Sequence, residues 1–172
     1  TAYRLQRQMC IRDRYIGRRT VDNGFDIQIR VINDRKRKKD VIMKCESNYI
    51  SEALKKIDLK NFLDKIDANA YFIVAYNENV ILGYAVLYAN NLETKEAYIT
   101  LLEVYRAYQG KHIGNGLIEK CERLAKEKKM TKIRLEVMKT NCNAIKFYEK
   151  NGFTKSSEKD NNNSNIYMIK DI

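Results

Sequence analysis

Apolar and polar positions change their spacing along the chain, and this spacing predicts the order of the elements. Alternation over residues 25–31 predicts a strand with one buried face. From residue 34 to about residue 66 the apolar positions recur every three or four residues, which predicts two helices joined near Asp58. The apolar positions of these helices are Val41, Ile42, Cys45, Tyr49, Ile50, Leu54, Ile57, Leu59, Phe62, Leu63 and Ile66.

Short β-rich runs dominate the rest of the chain. Residues 71–76 and 80–88 flank the turn-forming Asn77-Glu78-Asn79, which predicts a hairpin. Two further helices are predicted, one that opens after a glycine-containing turn near Gly110 and one over residues 143–150. The remaining predicted strands are residues 97–104, 132–138, 152–154 and 166–169.

This order of elements is typical of the α/β class, with a mixed sheet and helices on both faces. Residues 97–104 and 132–138 are joined through a helix, and such a crossover between parallel strands is right-handed. The chain has 172 residues, enough for one domain with a substantial core and too few for two ordinary domains. We therefore expect a single domain with one active site.

A glycine-containing turn follows residues 97–104 and opens the next helix. Its sequence is Gln109-Gly110-Lys111-His112-Ile113-Gly114-Asn115. The first N–H groups of a helix have no intrahelical acceptor and lie at the positive end of the helix dipole, so they can hold an anion. The spacing differs from a nucleotide P-loop and from a dinucleotide-binding fingerprint. The turn is therefore a phosphate site of another kind, or a plain connection between a strand and a helix.

The segment from Gln109 to Gly114 resembles the Q/R-x-x-G-x-G/A signature of the GNAT superfamily of N-acetyltransferases, whose turn holds the pyrophosphate of acetyl-coenzyme A. The family's first glycine is His112 here, so this residue must tolerate the turn or point away from the ligand. A second segment resembles the family's other acyl-CoA motif. It comprises Leu135-Glu136-Val137, Asn141, Asn143-Ala144-Ile145 and Phe147-Tyr148-Glu149-Lys150-Asn151-Gly152-Phe153. The resemblance covers roughly residue 25 to the C-terminus and is sharp between about residues 99 and 153.

This resemblance implies a mixed, mostly antiparallel sheet whose central parallel strand pair splays apart near Leu102 and Val104. The backbone groups opened there would pair with the pantetheine arm like an extra strand. A backbone N–H near Val104 would stabilise the oxyanion. Acetyl-CoA is the expected co-substrate, and no metal is expected. The residues expected to bind acetyl-CoA are Leu102, Val104, Gln109, Gly110, Lys111, His112, Ile113, Gly114, Asn115, Asn141, Ala144 and Tyr148.

Two of these residues carry alternative roles. Tyr148 matches the family tyrosine that lies near the sulfur of coenzyme A, where its phenol could donate a proton to the departing thiolate. Alternatively, its ring simply packs beside the cleft with its hydroxyl satisfied. Asn141 matches the asparagine that hydrogen-bonds the pantetheine chain, and it could also cap the helix that begins near Cys142.

Glu103 and Glu136 each lie in the centre of one of two strands predicted to be neighbours and largely buried. Glu136 is the preferred general base, because it corresponds to the base glutamate of the ribosomal-protein alanine acetyltransferases that the segment resembles. Both glutamates could instead be solvated, or pair with Arg106 and Arg134. The position of the base glutamate in histone-type members corresponds to Tyr98, so that version of the chemistry is not expected.

The basic charge is distributed unevenly. Net charge is +11, and the first twenty residues contribute +5 of it, from six arginines against Asp13. The stretch Gln8-Met9-Cys10-Ile11-Arg12-Asp13 also resembles a translated sequencing adapter. We therefore expect residues 1–20 to be a non-native or disordered leader and residues 21–172 to form the acetyltransferase domain.

The remaining composition narrows the class of protein. The cysteines show no C-x-x-C spacing and no histidine partner, which argues against a zinc site or a disulfide framework. No apolar run approaches the length of about eighteen residues that a membrane span requires. These features favour a cytoplasmic protein without a membrane partner. The cysteines are Cys10, Cys45, Cys121 and Cys142.

The sequence therefore predicts an acetyl-CoA-dependent N-acetyltransferase that acetylates a primary amine of a small molecule or a protein N-terminus by direct attack. Two alternatives stay open: a noncatalytic acyl-CoA-binding regulatory module and a tRNA-directed acetyltransferase. The basic run at residues 35–39 is more typical of a solvated helix face than of a nucleic-acid site, so nucleic acid is not an expected partner. The expected oligomeric state is a monomer or a homodimer.

Overall fold

A single mixed sheet organises the chain. The computed structural model describes residues 18–21, 25–44, 59–159 and 164–172. The strands within these ranges are β1 (Arg18–Val21), β2 (Phe25–Ile32), β3 (Ala70–Asn77), β4 (Val80–Asn91), β5 (Glu96–Val104), β6 (Lys132–Met138), β7 (Thr154–Lys159) and β8 (Asn165–Asp171). They lie in the spatial order β1-β2-β3-β4-β5-β6-β8-β7.

The described α-helices are α1 (Arg35–Met43), α2 (Leu59–Asn69), α3 (Ile113–Glu127) and α4 (Cys142–Lys150), and a 3-10 turn spans Arg106–Tyr108. The first two confirm helical structure at both ends of the segment 34–66. The predicted junction near Asp58 lies outside the described residues, as do the apolar positions from Cys45 to Ile57.

Strand directions confirm the predicted fold class. Neighbouring strands pair antiparallel except β5 and β6, which run parallel and are joined through α3. Strand β1 begins at Arg18, so residues 18–20 of the predicted leader pair with β2. Residues 1–17 lie outside the described part of the chain.

The two faces of the sheet carry separate apolar clusters. On one face, α3 and α4 cover an apolar layer that includes Ile73, Leu87 and Leu135. On the other face, α1 and α2 pack against residues such as Phe72 and Val86 of β3 and β4. Alternating side chains of each strand therefore enter different clusters, which explains the nearly continuous apolar runs in β3 and β4.

A salt-bridge cluster joins α1 to α2. The Lys38 ammonium is almost completely buried and donates to Asp67 Oδ1 at 2.5 Å, and Arg35 donates to Asp67 Oδ2 at 2.8 Å. Arg35 also pairs with Asp64 at 2.7 Å, on the solvent side. Burial alone would raise the pKa of Asp67. The hydrogen bonds from Lys38 and Arg35 together have a larger effect in the opposite direction, so the pKa lies below the ordinary value of 3.8.

An extra residue in β5 changes the course of the sheet at its centre. Leu87 of β4 pairs with Ile99, and Val86 pairs with Leu101, so Thr100 is a β-bulge. The parallel pairing of β5 with β6 ends at Ile99 and Leu135. A bulge bends its strand and increases the local twist. The two strands consequently separate beyond this point, as the resemblance to the acetyltransferases implies.

Candidate active site

The separation of β5 from β6 opens a cavity of about 460 Å³. Its walls come from the last residues of both strands, the turn before α3, and α4. The lining residues are Ile99, Thr100, Leu101, Leu102, Glu103, Val104, Arg106, Gln109, Glu136, Val137, Met138, Asn141, Ala144 and Tyr148. The structure thus brings together both predicted catalytic residues and the predicted contacts Leu102, Val104, Gln109, Asn141 and Ala144.

The turn before α3 contains two residues with left-handed backbone conformation. Gly110 and His112 both have positive φ, 79° and 57°, and His112 is the N-cap without a side-chain capping bond. Gln109 Nε2 donates to the Val104 carbonyl at 3.1 Å, which ties the turn to the end of β5. The N–H groups of the first helical turn are therefore available to an anion.

His112 occupies the position of the family's first glycine without disturbing the turn. Its side chain is exposed, and histidine is among the residues that adopt the left-handed region more readily than most. Lys111 is exposed beside it, with its ammonium 5.9 Å from the centre of the Tyr108 ring. An exposed ammonium at a helix N-terminus adds positive charge to the same surface.

The later positions of the turn motif have structural partners. A Cβ atom added at Gly114 would lie 2.9 Å from Cζ of Phe147 on α4, so the absence of a side chain lets the two helices approach closely. Asn115 Nδ2 donates to Asn151 Oδ1 at 3.2 Å, just after α4. Ile113 is buried in the core. These side chains therefore fix α4 against α3.

Tyr148 lies on α4 in a nest of aromatic rings. It is 8% exposed, and its ring meets Phe147 and Phe153 edge-on, at centroid distances of 5.3 and 5.7 Å. Burial, with a smaller contribution from the neighbouring Cys121, raises the pKa of Tyr148 to about 12. The hydroxyl therefore stays protonated and can act as a hydrogen-bond donor throughout the neutral range.

The capping role considered for Asn141 is confirmed. Its Oδ1 accepts from the Ala144 N–H at 3.1 Å, which caps α4. Because the side chain also lines the cavity, its amide N–H₂ group remains suited to donate to a ligand.

Glu136 is exposed, which agrees with the solvated alternative and not with a buried glutamate. On β6, Ile133, Leu135 and Val137 enter the cluster under α3, which turns Glu136 toward the opposite face. The helices described on that face pack on β3 and β4 rather than on β6. The central position of a residue in a strand does not by itself determine whether both faces are covered.

Two neutral groups hold the Glu136 carboxylate. Asn165 Nδ2 donates to Oε1 at 2.7 Å, and the Tyr98 hydroxyl donates to Oε2 at 3.4 Å. Burial and the charge of Glu136 raise the pKa of Tyr98 to about 12, so the phenol remains a donor. Tyr98 therefore remains a hydrogen-bond donor to the Glu136 carboxylate.

Two other charged residues considered from the sequence, Glu103 and Arg134, have environments different from that of Glu136. Glu103 is 8% exposed, as expected, and lies opposite Tyr84 of β4. Arg134 pairs with Glu96 at 3.8 Å, and its guanidinium lies 3.9 Å from the centre of the Tyr167 ring. Arg134 thus forms an ion pair with a carboxylate at the start of β5.

Asn165 and Tyr167 are site residues that sequence reasoning missed. Both lie on β8, and Tyr167 is directly opposite Glu136 in the antiparallel register. Their proximity to Glu136 could have been predicted only from the register between β6 and β8. No local motif marks it.

Comparison with known proteins assigns the family. A model described as the acetyltransferase (GNAT) family matches residues 39–153. The chain belongs to this family and is an acyltransferase.

Several solved structures share the fold. PaiA N-acetyltransferase from Thermoplasma acidophilum, in complex with coenzyme A, matches with a TM-score of 0.69 and 22% identity over 85% of this chain and 99% of the other. A GNAT family acetyltransferase from Elizabethkingia anophelis with acetyl-CoA bound matches with a TM-score of 0.62 and 19% identity over 85% and 98%. At these identities the likeness concerns the fold.

A third structure has higher identity over a shorter range. This protein from Bacillus anthracis str. Ames, assigned as a streptothricin acetyltransferase and solved with acetyl-CoA, matches with a TM-score of 0.55 and 32% identity. The match covers 60% of this chain and 63% of the other.

Two features are absent from the described residues. They contain no group of three or more His, Cys, Asp or Glu side chains arranged to hold a metal ion. None of the helices in these ranges is long and apolar enough to cross a membrane.

Proposed function

We propose that this acyltransferase moves an acetyl group from acetyl-CoA to a primary amine by direct attack, in the cavity between β5 and β6. One observation carries the proposal. Tyr148 comes from the face covered by α3 and α4, whereas Glu136 points to the opposite face, yet both line the same cavity. The gap between the strands therefore connects the two faces of the sheet, so a thioester and an amine can meet within it.

The turn before α3 fits the diphosphate of the coenzyme. The N–H groups of the first helical turn provide donors, and the helix dipole favours negative charge there. A Cβ atom added at Gly110 would meet no atom of the described residues within 4 Å, so a ligand can approach the backbone closely. Lys111 and the net charge of +6 that remains when the +5 of residues 1–20 is subtracted from +11 favour capture of a polyanion.

The open edge of β5 fits the pantetheine arm. Residues 100–104 have lost β6 as a partner on one side, and their backbone groups require other hydrogen-bond partners. An arm with amide groups can supply them like an added strand. Asn141 can donate to the same arm while its oxygen caps α4. A backbone N–H of this edge near Val104 is the proposed donor to the oxyanion.

Glu136 is the proposed base. An alkylamine has a pKa of about 10.4 and is mostly protonated at neutral pH, so it must lose a proton before it can attack. Glu136 is exposed, so its carboxylate can accept that proton and pass it to water. The carboxylate also stabilises the positive charge that develops on the nitrogen during attack.

Tyr148 is the proposed donor to the departing sulfur. Its pKa of about 12 lies well above that of a thiol, at about 8.5, so complete proton transfer to the thiolate is uphill. A hydrogen bond from the neutral phenol to the developing thiolate requires no such transfer and gains strength as the negative charge grows. We therefore assign Tyr148 the role of a hydrogen-bond donor that stabilises the leaving group.

The assignment is tested by an amine screen that follows the release of coenzyme A thiol from acetyl-CoA. The panel contains alkylamines, amino acids, amino sugars, streptothricin, a peptide with a free N-terminus and aminoacyl-tRNA. We expect release with at least one amine, and a kcat lowered about 10- to 100-fold in Tyr148→Phe. The control is Tyr71→Phe, a half-buried tyrosine of β3 outside the lining of this cavity.

The screen also separates the alternatives. A noncatalytic acyl-CoA-binding module would bind acetyl-CoA without releasing thiol to any amine, which would contradict the proposal. A preference for aminoacyl-tRNA would identify a tRNA-directed enzyme, and its RNA binding would weaken steeply with salt. Unchanged turnover in Tyr148→Phe would show that Tyr148 is not the donor.

Three further predictions concern the whole protein. They are a cytoplasmic location, an oligomeric state of monomer or homodimer, and an acetyltransferase domain over residues 21–172.

A further inference from the structure

We infer that the Thr100 hydroxyl is a further catalytic group, which contacts the nitrogen of the acceptor and links it to Glu136. The hydroxyl accepts a hydrogen bond from the amine and donates one to the carboxylate. The inference rests on the proposed function and adds the path by which the amine loses its proton. It is carried by the register of β5 and β6, by the β-bulge and by the lining of the cavity.

Thr100 and Glu136 are the first residues beyond the paired part of β5 and β6. The parallel pairing ends where Ile99 lies opposite Leu135. The next residue of β5 is the bulged Thr100, and the next residue of β6 is Glu136. These two residues therefore lie on either side of the gap at the point where it begins.

Both side chains belong to the same face of the sheet. Ile99 and Leu135 lie in the apolar layer under α3. Because successive side chains of a strand point to opposite faces, Thr100 and Glu136 are directed away from α3. Both residues line the cavity between the strands. A nitrogen that enters the gap from this face therefore meets the two side chains together.

The chemistry of a hydroxyl suits both contacts. It has one donor and two acceptor lone pairs, so it can accept from an amine while it donates to a carboxylate. Thr100 is half-buried, and its hydroxyl has no hydrogen-bond partner within the described part of the chain. The oxygens of Glu136 accept from Asn165 and Tyr98, and each carboxylate oxygen has capacity for a second hydrogen bond.

A cation already lies on this face of the sheet. Arg134 is two positions before Glu136 on β6. Its guanidinium lies over the Tyr167 ring and pairs with Glu96 at the start of β5. Thr100 is at the other end of this group, beside the gap. Because the proton reaches Glu136 through a neutral hydroxyl, no second cation has to bind beside Arg134.

The proton transfer balances over three groups. The acceptor nitrogen gives a proton to the Thr100 oxygen as the hydroxyl gives its own proton to Glu136. The hydroxyl is thereby regenerated, and the nitrogen keeps the lone pair that attacks the thioester. The carboxyl group of Glu136 is neutral until it passes the proton to water.

Two substitutions separate the hydroxyl of Thr100 from the shape of its side chain. Thr100→Val keeps the β-branched shape that suits a strand and removes the hydroxyl, whereas Thr100→Ser keeps the hydroxyl. The acceptor is an amine that the screen identifies. We expect kcat to fall about 10- to 100-fold in Thr100→Val and less than about threefold in Thr100→Ser. The KM for acetyl-CoA should stay close to the native value in both variants, because the coenzyme is proposed to bind the backbone of this edge.

Thr94→Val is the matched control. Thr94 is exposed on the turn between β4 and β5, outside the lining of the cavity. The same exchange of side chains should leave kcat at the native value there. An equal loss of kcat in Thr94→Val and Thr100→Val would contradict a role specific to Thr100.

A double-mutant cycle tests whether Thr100 acts through Glu136. Glu136→Gln removes the group that takes the proton, so Thr100→Val should lower kcat less than about threefold in that background. An effect on the shape of the strand alone would give the same factor in both backgrounds and would overturn the inference. Native kcat in Thr100→Val, or equal losses in Thr100→Val and Thr100→Ser, would also overturn it. Absence of thiol release with every amine in the screen would instead overturn the proposed function.

Discussion

Gly114 on α3 and Phe147 on α4 are in such close contact that an added Cβ atom at Gly114 would lie 2.9 Å from Cζ and 3.1 Å from Cε2 of the ring. Phe147 adjoins Tyr148 in sequence, and their rings meet edge-on. Gly114 therefore helps to set the position of Tyr148, the proposed hydrogen-bond donor. In this contact Gly114 serves the packing of α3 against α4.

Replacement of this glycine should lower activity. Gly114→Ala would gain helix propensity, but the added methyl group must push Phe147 and α4 away, at a cost of about 1–3 kcal/mol. We expect a lower kcat with acetyl-CoA still bound, measured by thiol release and by titration with coenzyme A. A second change, Phe147→Leu, should restore part of the lost kcat because it returns the space.

Gly116→Ala is the matched control in the same helix. Its added methyl group would meet Cδ1 of Ile29 at 2.7 Å, which is the end of a flexible side chain that can move aside. We expect near-native kcat in this variant. A similar loss of kcat in both alanine variants would show that the contact between Gly114 and Phe147 has no special effect on Tyr148.

The turn before α3 offers a pair of substitutions with opposite effects on backbone strain. Gly110→Ala places a side chain at φ 79°, which costs about 1–2 kcal/mol, whereas His112→Gly relieves a residue at φ 57°. Because an added Cβ at Gly110 meets no described atom within 4 Å, its effect comes from the backbone conformation. Gly110→Ala should raise the KM for acetyl-CoA, and His112→Gly should leave it unchanged or lower it.

Thermal unfolding supplies the check for this pair. The melting temperature should fall in Gly110→Ala and change little in His112→Gly, where the relieved strain is partly offset by the greater freedom of glycine in the unfolded chain. A higher KM for acetyl-CoA in His112→Gly would show that the imidazole itself contacts the coenzyme.

The pH dependence of kcat/KM should report the acceptor amine. Tyr148 and Tyr98 both have pKa values of about 12, so neither loses its proton in the working range. For an alkylamine, kcat/KM should rise about tenfold per pH unit from about pH 7 and level off near about pH 10. Tyr148→Phe should lower this curve without changing its shape.

Initial rates with Tyr148→Phe and the native enzyme across the same buffers provide the measurement. A bend that is present in the native curve below pH 10 and absent in the variant would mean that Tyr148 titrates during turnover. That result would assign it to proton transfer rather than to hydrogen bonding.

The salt-bridge cluster between α1 and α2 should contribute to stability through its buried member. Asp67→Asn leaves the Lys38 ammonium without its charged partner, so the free energy of unfolding should fall by about 1–3 kcal/mol at neutral pH. Because the pKa of Asp67 is lowered in the fold, its contribution is present above the ordinary value of 3.8 and is lost as pH falls below it.

Denaturant unfolding at pH 7 and pH 3 tests both statements. The difference between the native protein and Asp67→Asn should shrink at the lower pH. Asp64→Asn is the control, since Asp64 pairs with Arg35 at an exposed position and its removal should cost less than about 1 kcal/mol. Equal losses in both variants would contradict a special role for the buried ammonium.

The sequence predicted the elements more completely than the site. The strand over Lys132–Met138 has the predicted bounds, because its alternation of apolar and polar residues is uninterrupted. The turn motif also located the start of α3. The sequence could not decide between a buried and a solvated Glu136, because alternation shows which side chains share a face, whereas coverage of that face depends on distant helices.

The neighbours of Glu136 could not be predicted for a related reason. Asn165 and Tyr167 reach it through the pairing of β6 with β8, which are separated by α4 and β7 in the chain. Register between distant strands is fixed by the assembled sheet and leaves no local pattern. Tyr98 adjoins Glu136 by the same kind of cross-strand contact.

Thr100 gives the last part of β5 its orientation. Before it, Ala97 and Ile99 face α3, and after it Leu102 and Val104 do so, because the extra residue shifts the alternation by one. If the strand kept a regular alternation through Thr100, without a bulge, Leu101 and Glu103 would face α3 instead, and the carboxylate of Glu103 would enter the apolar layer there. A one-residue insertion in a strand thus supplies both an aperture through the sheet and the correct side chains at its rim.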